Sequence, residues 1–215
     1  VLKETKIEEL NLRANKLGPE GGAALAEVLK GNSTLQSLSL TGNKLCGVST
    51  NGSGEHTTEG ITVLCEGLKG SAVTSLNLAS NQLCGLDSFG DGTYSAEGIM
   101  KLCEGLKGSS VTSLELNYNE LGPGGGAALA EGLKGNSTLQ SLGLELNDLR
   151  PEGGAALAEG LKGNSTLQSL NLGNNNLAYY GQDMSGLLKL VEILPQTKIE
   201  SLGLEGNSIG GYPVD

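Results

Sequence analysis

Two apolar cadences alternate along this chain. The first has a period of two and appears in IEELNLRANKL, LQSLSLTGNKL, VTSLNLASNQL, VTSLELNYNEL, LQSLGLELNDL, LQSLNLGNNNL and IESLGLEGNSI, all variants of apolar-x-x-Leu-x-Leu-x-x-Asn-x-apolar. Alternation of Leu with polar residues predicts a short strand with one buried face. The second cadence follows the first as Gly-x-x-x-Leu-(Ala/Cys)-x-x-Leu, in GGAALAEVL, GITVLCEGL and GIMKLCEGL. Leu at i and i+4 around a small residue makes a helical apolar stripe. Ala23–Ala26 and Ala127–Ala130 add helix propensity. Gly31, Gly135 and Gly163 stand where a left-handed C-cap would end the helix.

The asparagine that closes each strand pattern recurs at Asn15, Asn43, Asn81, Asn119, Asn147, Asn175 and Asn207, at spacings of 28, 38, 38, 28, 28 and 32. An amide side chain both donates and accepts. Stacked copies can therefore satisfy the backbone groups of a buried bend, which an apolar residue there could not. Each unit reads as strand, turn, helix and return, and like strands at this spacing stack in parallel. Strands stack about 4.8 Å apart, whereas helices need about 8–10 Å. The mismatch predicts a horseshoe with strands on the concave side and helices on the convex side. The predicted class is α/β, one solenoid domain over residues 1–215.

The 28-residue unit, the Leu-x-Leu-x-x-Asn-x-Leu strand and the LCEGLKG helix ending resemble leucine-rich repeats of the ribonuclease-inhibitor type. The same repeat type occurs in NOD-like receptors and in the Ran GTPase-activating protein. The resemblance covers essentially the whole chain. It implies a scaffold that binds another protein and names no particular partner. Two long loops and an aromatic-poor concave face set this chain apart from ribonuclease inhibitor.

Those loops interrupt the regularity. From the strand asparagine to the first helix glycine is six residues at Asn15–Gly21 and Asn119–Gly125, but seventeen at Asn43–Gly60 and Asn81–Gly98. The eleven extra residues fall in LCGVSTNGSGEHTTEG (45–60) and its near-copy LCGLDSFGDGTYSAEG (83–98), placing inserted loops at about 47–58 and 85–96. A shorter excursion, LAYYGQDMSG, adds five residues at about 178–185. All three fall on one edge of the horseshoe, the first two side by side. Loops this long are often binding elements on a scaffold. The plainer alternative is a duplicated unit that carried its loop along. The two loops hold His56, Asp87, Phe89, Asp91 and Tyr94, the candidate partner-binding residues on this edge.

A second candidate patch lies just beyond the strands. Concave positions are mostly Ser, Asn, Gly and Thr, but Tyr118 and Leu146 precede the asparagine in adjacent repeats. With Glu115, Glu120, Glu145 and Asp148 they form an acidic patch with an apolar centre, suited to a basic or mixed protein partner. The alternative is a solvated edge with two stray apolar residues.

Charge and composition narrow the functional classes. With 14 basic and 24 acidic residues the net charge is −10, which argues against nucleic acid and against anionic membranes. No apolar run approaches the roughly 20 residues that span a bilayer, so no membrane insertion is expected. Cys46, Cys65, Cys84 and Cys103 fall 19 residues apart, a consequence of two 38-residue copies. They read as buried free thiols, with a Cys46–Cys84 or within-repeat bridge as the alternative. One His and widely separated thiols do not make a zinc site. Asp87-x-x-x-Asp91-Gly92 has too few oxygens for calcium, and a solvated turn is expected there. His56 reads as a surface loop residue, outside any nucleophile–base arrangement. Neither a metal nor a cofactor is expected, and the chain does not read as an enzyme. The sequons at Asn32, Asn51, Asn136 and Asn164 matter only in a secretory compartment; free thiols favour an intracellular, cytoplasmic setting.

The start VLKETKIEEL matches ILPQTKIESL at 193–202, so the chain reads as a section of a longer protein with capping segments or a neighbouring chain at its ends. The leading expectation is a non-catalytic interaction scaffold, within a larger protein or as a subunit of a complex. The resemblance also leaves open a regulator of a small GTPase and the ligand-sensing repeats of a NOD-like receptor. The latter would need a nucleotide-binding domain elsewhere, since this chain has no Gly-x-x-x-x-Gly-Lys-Ser/Thr loop.

Overall fold

A computed structural model describes residues 6–210. Strands β1 (Glu9–Asn11), β2 (Ser37–Ser39), β3 (Ser75–Asn77), β4 (Ser113–Glu115), β5 (Ser141–Gly143), β6 (Ser169–Asn171) and β7 (Ser201–Gly203) form one parallel sheet in chain order. Between them run helices α1 (Gly18–Leu29), α2 (Glu59–Leu68), α3 (Glu97–Leu106), α4 (Gly122–Leu133), α5 (Arg150–Leu161) and α6 (Ser185–Ile193). The fold is the expected α/β leucine-rich repeat solenoid, an open seven-stranded sheet alternating with six helices among the described residues. Short 3-10 turns occupy Tyr179–Gly181 and Leu194–Gln196.

Pairing is in register: Leu10, Leu38, Leu76, Leu114, Leu142, Leu170 and Leu202 stand side by side at the strand centres. The leucine two residues on continues the same face, and Leu40, Leu78, Leu116, Leu144 and Leu172 are fully buried. Residues between them point to the open side of the sheet. The core is thus a continuous ribbon between sheet and helices. No single repeat can bury its own leucines, and each repeat depends on its neighbours.

The asparagines form a connected ladder. Asn81 Oδ1 accepts the Asn43 and Leu45 backbone N–H groups at 3.1 and 3.2 Å. Its Nδ2 donates to the carbonyls of Leu40, Leu78 and Ala79 at 2.9–3.1 Å. Asn119, Asn147, Asn175 and Asn207 repeat the arrangement. Asn43 through Asn175 are fully buried, whereas Asn15 is exposed. The ladder also starts helices: Gly18, Gly122 and Arg150 donate their N–H to the Asn43, Asn147 and Asn175 carbonyls at 2.9 Å. No N-cap side chain serves these helices, and each has Pro in its first turn.

Helices approach closely through a small-residue seam. A Cβ on Gly67 would lie 2.5 Å from the Ala26 Cα, and one on Gly105 would overlap the Cys65 side chain. Gly132 and Gly160 meet Cys103 and Ala130 in the same way. The small residue in Leu-(Ala/Cys)-x-Gly-Leu is therefore the surface on which the next helix's glycine rests. All four thiols are free; three are buried and Cys103 is half-buried. Burial pushes each up to about 12, so they stay protonated at neutral pH.

One cap differs from expectation. Gly31 and Gly163 are left-handed, with φ of +70° and +75°. Gly135 is not among the left-handed residues, because Lys134 before it stays helical at φ −55° and ψ −31°, where Lys30 and Lys162 turn extended.

Candidate functional site

The two inserted loops are built alike, residue by residue. In each, a glycine closes the strand turn: Gly47 donates to the Lys44 carbonyl at 2.8 Å and Gly85 to the Gln82 carbonyl at 3.0 Å. A tight bend follows, with Ser49 donating to the Ser53 carbonyl and Asp87 to the Asp91 carbonyl at 3.0 and 2.9 Å. The chain then returns, with Thr57 and Ser95 donating to the Cys46 and Cys84 carbonyls at 3.0 and 2.9 Å. Gly47, Gly52 and Gly54, like Gly85, Gly90 and Gly92, are all left-handed, which explains why these stretches are glycine-rich.

Copies at this 38-residue period stack. Ser88 donates through its backbone N–H and its hydroxyl to the Thr50 carbonyl, at 3.3 and 2.7 Å. The loops are therefore an ordered extra layer along one edge of the solenoid.

His56 of the first loop occupies the place of Tyr94 in the second, each resting on the repeat that follows. Tyr94 packs over Gly122 and Gly124 and donates its hydroxyl to the Leu121 carbonyl at 2.7 Å. Burial first, then the nearby Cys84, raises this phenol well above its ordinary range. His56 is half-buried against Gly85, with its Nε2 buried and lacking a hydrogen-bond partner among the described residues. It is thus a packed residue between loops, and the surface placement expected from sequence is corrected. Asp87 is also internal: it is 4% exposed, and its Oδ1 accepts the Phe89 and Asp91 N–H groups at 2.9 Å. Asp91 is exposed and shares with His56 a cavity of about 450 Å³ between the loops.

The strand turns carry an unusual backbone. Both residues flanking each ladder asparagine are left-handed. Before the asparagine the sequence supplies Ala14, Gly42, Ser80, Asn174 and Gly206, all small or Asn. The exceptions are Tyr118 at φ +57° and Leu146 at φ +56°. Tyr118 is 53% exposed and Leu146 half-buried.

Here the two candidate sets meet. The tip of the second loop, Ser88–Gly90, faces the rim formed by Tyr118 and Glu120, Leu146 and Asp148, across a groove of about 650 Å³. Phe89, 82% exposed, stands at its edge. Arg150, Asn174 and Asn176 complete the lining and were not anticipated. The Asn174 and Asn176 positions were readable from register, since they flank Asn175 as Tyr118 and Glu120 flank Asn119. Arg150 carried no comparable signal.

The groove's charges are unequally satisfied. Asp148 Oδ2 accepts Arg150 Nε and a terminal guanidinium nitrogen at 2.9 and 2.7 Å. Its Oδ1 accepts Asn176 Nδ2 at 2.8 Å. Glu120, half-buried, has neither a hydrogen bond nor an ion pair of its side chain among the described residues. Burial, followed by the charges of Asp148 and Asp87, raises its carboxyl above the ordinary value.

Glu115 and Glu145 lie outside the groove, in the concave row. Glu115 accepts Asn117 Nδ2 at 3.1 Å, and Glu145 accepts Asn174 Nδ2 at 3.2 Å. Burial raises the Glu115 carboxyl; the Asn117 bond opposes this and Glu145 adds to it. Of the eleven candidates, the groove gathers Phe89, Tyr118, Glu120, Leu146 and Asp148. Among the described residues no cluster of three or more His, Cys, Asp or Glu is arranged to hold a metal ion. No described helix is long and apolar enough to cross a membrane.

An open parallel sheet, a helix between each pair of successive strands and an asparagine at every strand turn, buried in all but the first, define a repeat solenoid. The chain carries leucine-rich repeats: residues 3–26, 31–45, 109–130, 135–158 and 163–179 match the Leucine Rich repeat family. The internal gap, 46–108, is the stretch that holds both inserted loops. Among solved structures, one titled Leiomodin-1 Actin-Binding Site 2 (ABS2) is similar at 21% identity and a TM-score of 0.41. The similarity covers 52% of this chain and 64% of that one. No curated protein matches by sequence.

Proposed function

We propose that this chain is a non-catalytic protein-interaction module of a larger protein or assembly, and that its binding surface is the groove between the second loop and the strand-turn rim. The observation that carries this reading is the placement of Tyr118 and Leu146. A left-handed backbone costs a non-glycine residue roughly 1–2 kcal/mol. Five of seven repeats avoid bulk at this position, using Gly, Ala, Ser or Asn. Two adjacent repeats accept a large side chain there and hold it over an open groove. Strain kept at an exposed position points to use. A solvent-facing apolar cluster with a polar rim has the anatomy of a contact surface.

We read the repeats as the ribonuclease-inhibitor type, on their 28-residue spacing and on a full helix between successive strands. Affinity capture from the source cells tests the interaction reading. It compares the intact chain with chains lacking Val48–Thr58 or Leu86–Ala96, folding being checked by thermal melting. A partner should be lost with the second cut, which removes one wall of the groove, and at most weakened by the first, which removes only a support of that wall. Retention of the same partner by both would refute the reading.

A further inference from the structure

We propose that the groove is a seat for one cationic side chain, a lysine or arginine of the bound protein, with Glu120 as its counter-ion and the rings of Phe89 and Tyr118 as its walls. This rests on the reading of the chain as an interaction module and specifies what that module recognises.

Asp148 is saturated by Arg150 on one oxygen and Asn176 on the other. Arg150 spends two of its donors on that same carboxylate, leaving Glu120 without a cation among the described residues although both line the groove. The charges facing Glu120 most closely are those of Asp148 and Asp87, both acidic. Glu120 is therefore half-buried, beside like charge, and without a side-chain partner among the described residues.

Occupants of the groove then sort by chemistry. An apolar side chain would strip remaining water from a carboxylate that has nothing to replace it. An acidic one would add a third repulsion. A cation neutralises Glu120 and places its charge against two exposed aromatic faces, which attract cations through their ring quadrupoles. An arginine would also suit the planar carboxylate, two N–H groups to two oxygens. The chain's net charge of −10 draws a basic segment toward the surface but cannot select a position on it. The rings and the unpaired carboxylate supply that selection.

The test uses the full chain and a heptapeptide library whose central residue is fixed in turn as Lys, Arg, citrulline or Gln. The expected result is at least tenfold greater retention of Lys- or Arg-centred peptides than of citrulline- or Gln-centred ones. Glu120→Gln, which keeps shape and removes charge, should erase that preference. Glu131→Gln on the convex side, where Glu131 pairs with Lys134, should leave it intact. Phe89→Ser with Tyr118→Ser should reduce it. Equal retention of Gln-centred peptides, a basic preference that survives Glu120→Gln, or no retention of any peptide would each overturn the proposal. If a partner is still captured in a loop-dependent way while peptides show no basic preference, the cation seat falls and the interaction reading stands.

Discussion

At the residue scale the two informative side chains are Glu120 and the ladder asparagine. The folded-state pKa of Glu120 is raised above its ordinary 4.5. The sign follows from linkage: a raised pKa means that the folded chain binds the proton more tightly than the unfolded chain. Its contribution to stability is fully present below the unfolded value and is lost as pH rises through the folded one. Glu120→Gln should therefore stabilise the protein at pH 7, by urea unfolding, with the difference from wild type closing as pH falls below about 4.5. A Gln variant less stable at pH 7 would show that the carboxylate has a partner after all. The same substitution abolishes the proposed cation preference, so loss of binding with gain of stability excludes misfolding as the cause. The ladder gives the opposite behaviour. Asn119→Ala would leave two backbone N–H groups and up to three carbonyls without their partner, at about 1–3 kcal/mol for each buried group left unpaired. A loss of roughly 3 kcal/mol or more is expected in urea unfolding, against less than about 1 kcal/mol for the exposed Asn15→Ala.

At the scale of elements, helix seams and stacked loops make separate predictions. Gly105→Ala gains helix propensity of about 1 kcal/mol, but its methyl would overlap the Cys65 side chain. Overpacking costs about 1–3 kcal/mol, so the variant should be destabilised on balance, by up to about 2 kcal/mol. A more stable Gly105→Ala chain would mean that α2 and α3 can move apart. The loops should prove coupled. Excising Val48–Thr58 removes the Thr50 carbonyl on which Ser88 rests and the His56 ring against Gly85. Excising Leu86–Ala96 removes Ser88, the other half of the first of these contacts. Deleting both should therefore cost less than the sum of the single deletions. Strict additivity in unfolding free energy would show that the loops do not support one another.

Much of this level was legible in the sequence, because repetition turns weak local signals into register. Leu-x-Leu at fixed offset from Asn fixed strand positions, and matching 38-residue units placed the loops side by side. What stayed hidden was where side chains inside the loops point. Asp87 and His56 look like polar surface residues in one dimension. The bend turns the Asp87 carboxylate onto the N–H groups of Phe89 and Asp91, and stacking folds His56 under Gly85. Gly135 was equally opaque, since its left-handed cap depended on whether Lys134 left the helix.

At the scale of the molecule, the claim is that a solenoid otherwise bland on its concave side concentrates recognition at one place. Phe89 comes from an insertion, Tyr118 and Leu146 from two successive turns, and Glu120 and Asp148 from the positions just beyond the ladder. Along the sequence these are two separate patches; the bend of the second loop brings them across one groove. The convex helices carry i,i+3 Lys–Glu pairs at Lys30, Lys101, Lys134 and Lys162. Such exposed pairs contribute little to stability and make a well-solvated outer face.

The most direct test of this claim is site-resolved photocrosslinking in extracts of the source cells. A photoreactive residue would be placed in turn at Phe89, Tyr118 and Leu146 in the groove, and at Glu131 and Lys189 on the helices. The account predicts one common protein crosslinked from the groove positions and none from the helix positions. Crosslinks to a common protein from the helices alone, or none from the groove, would contradict it.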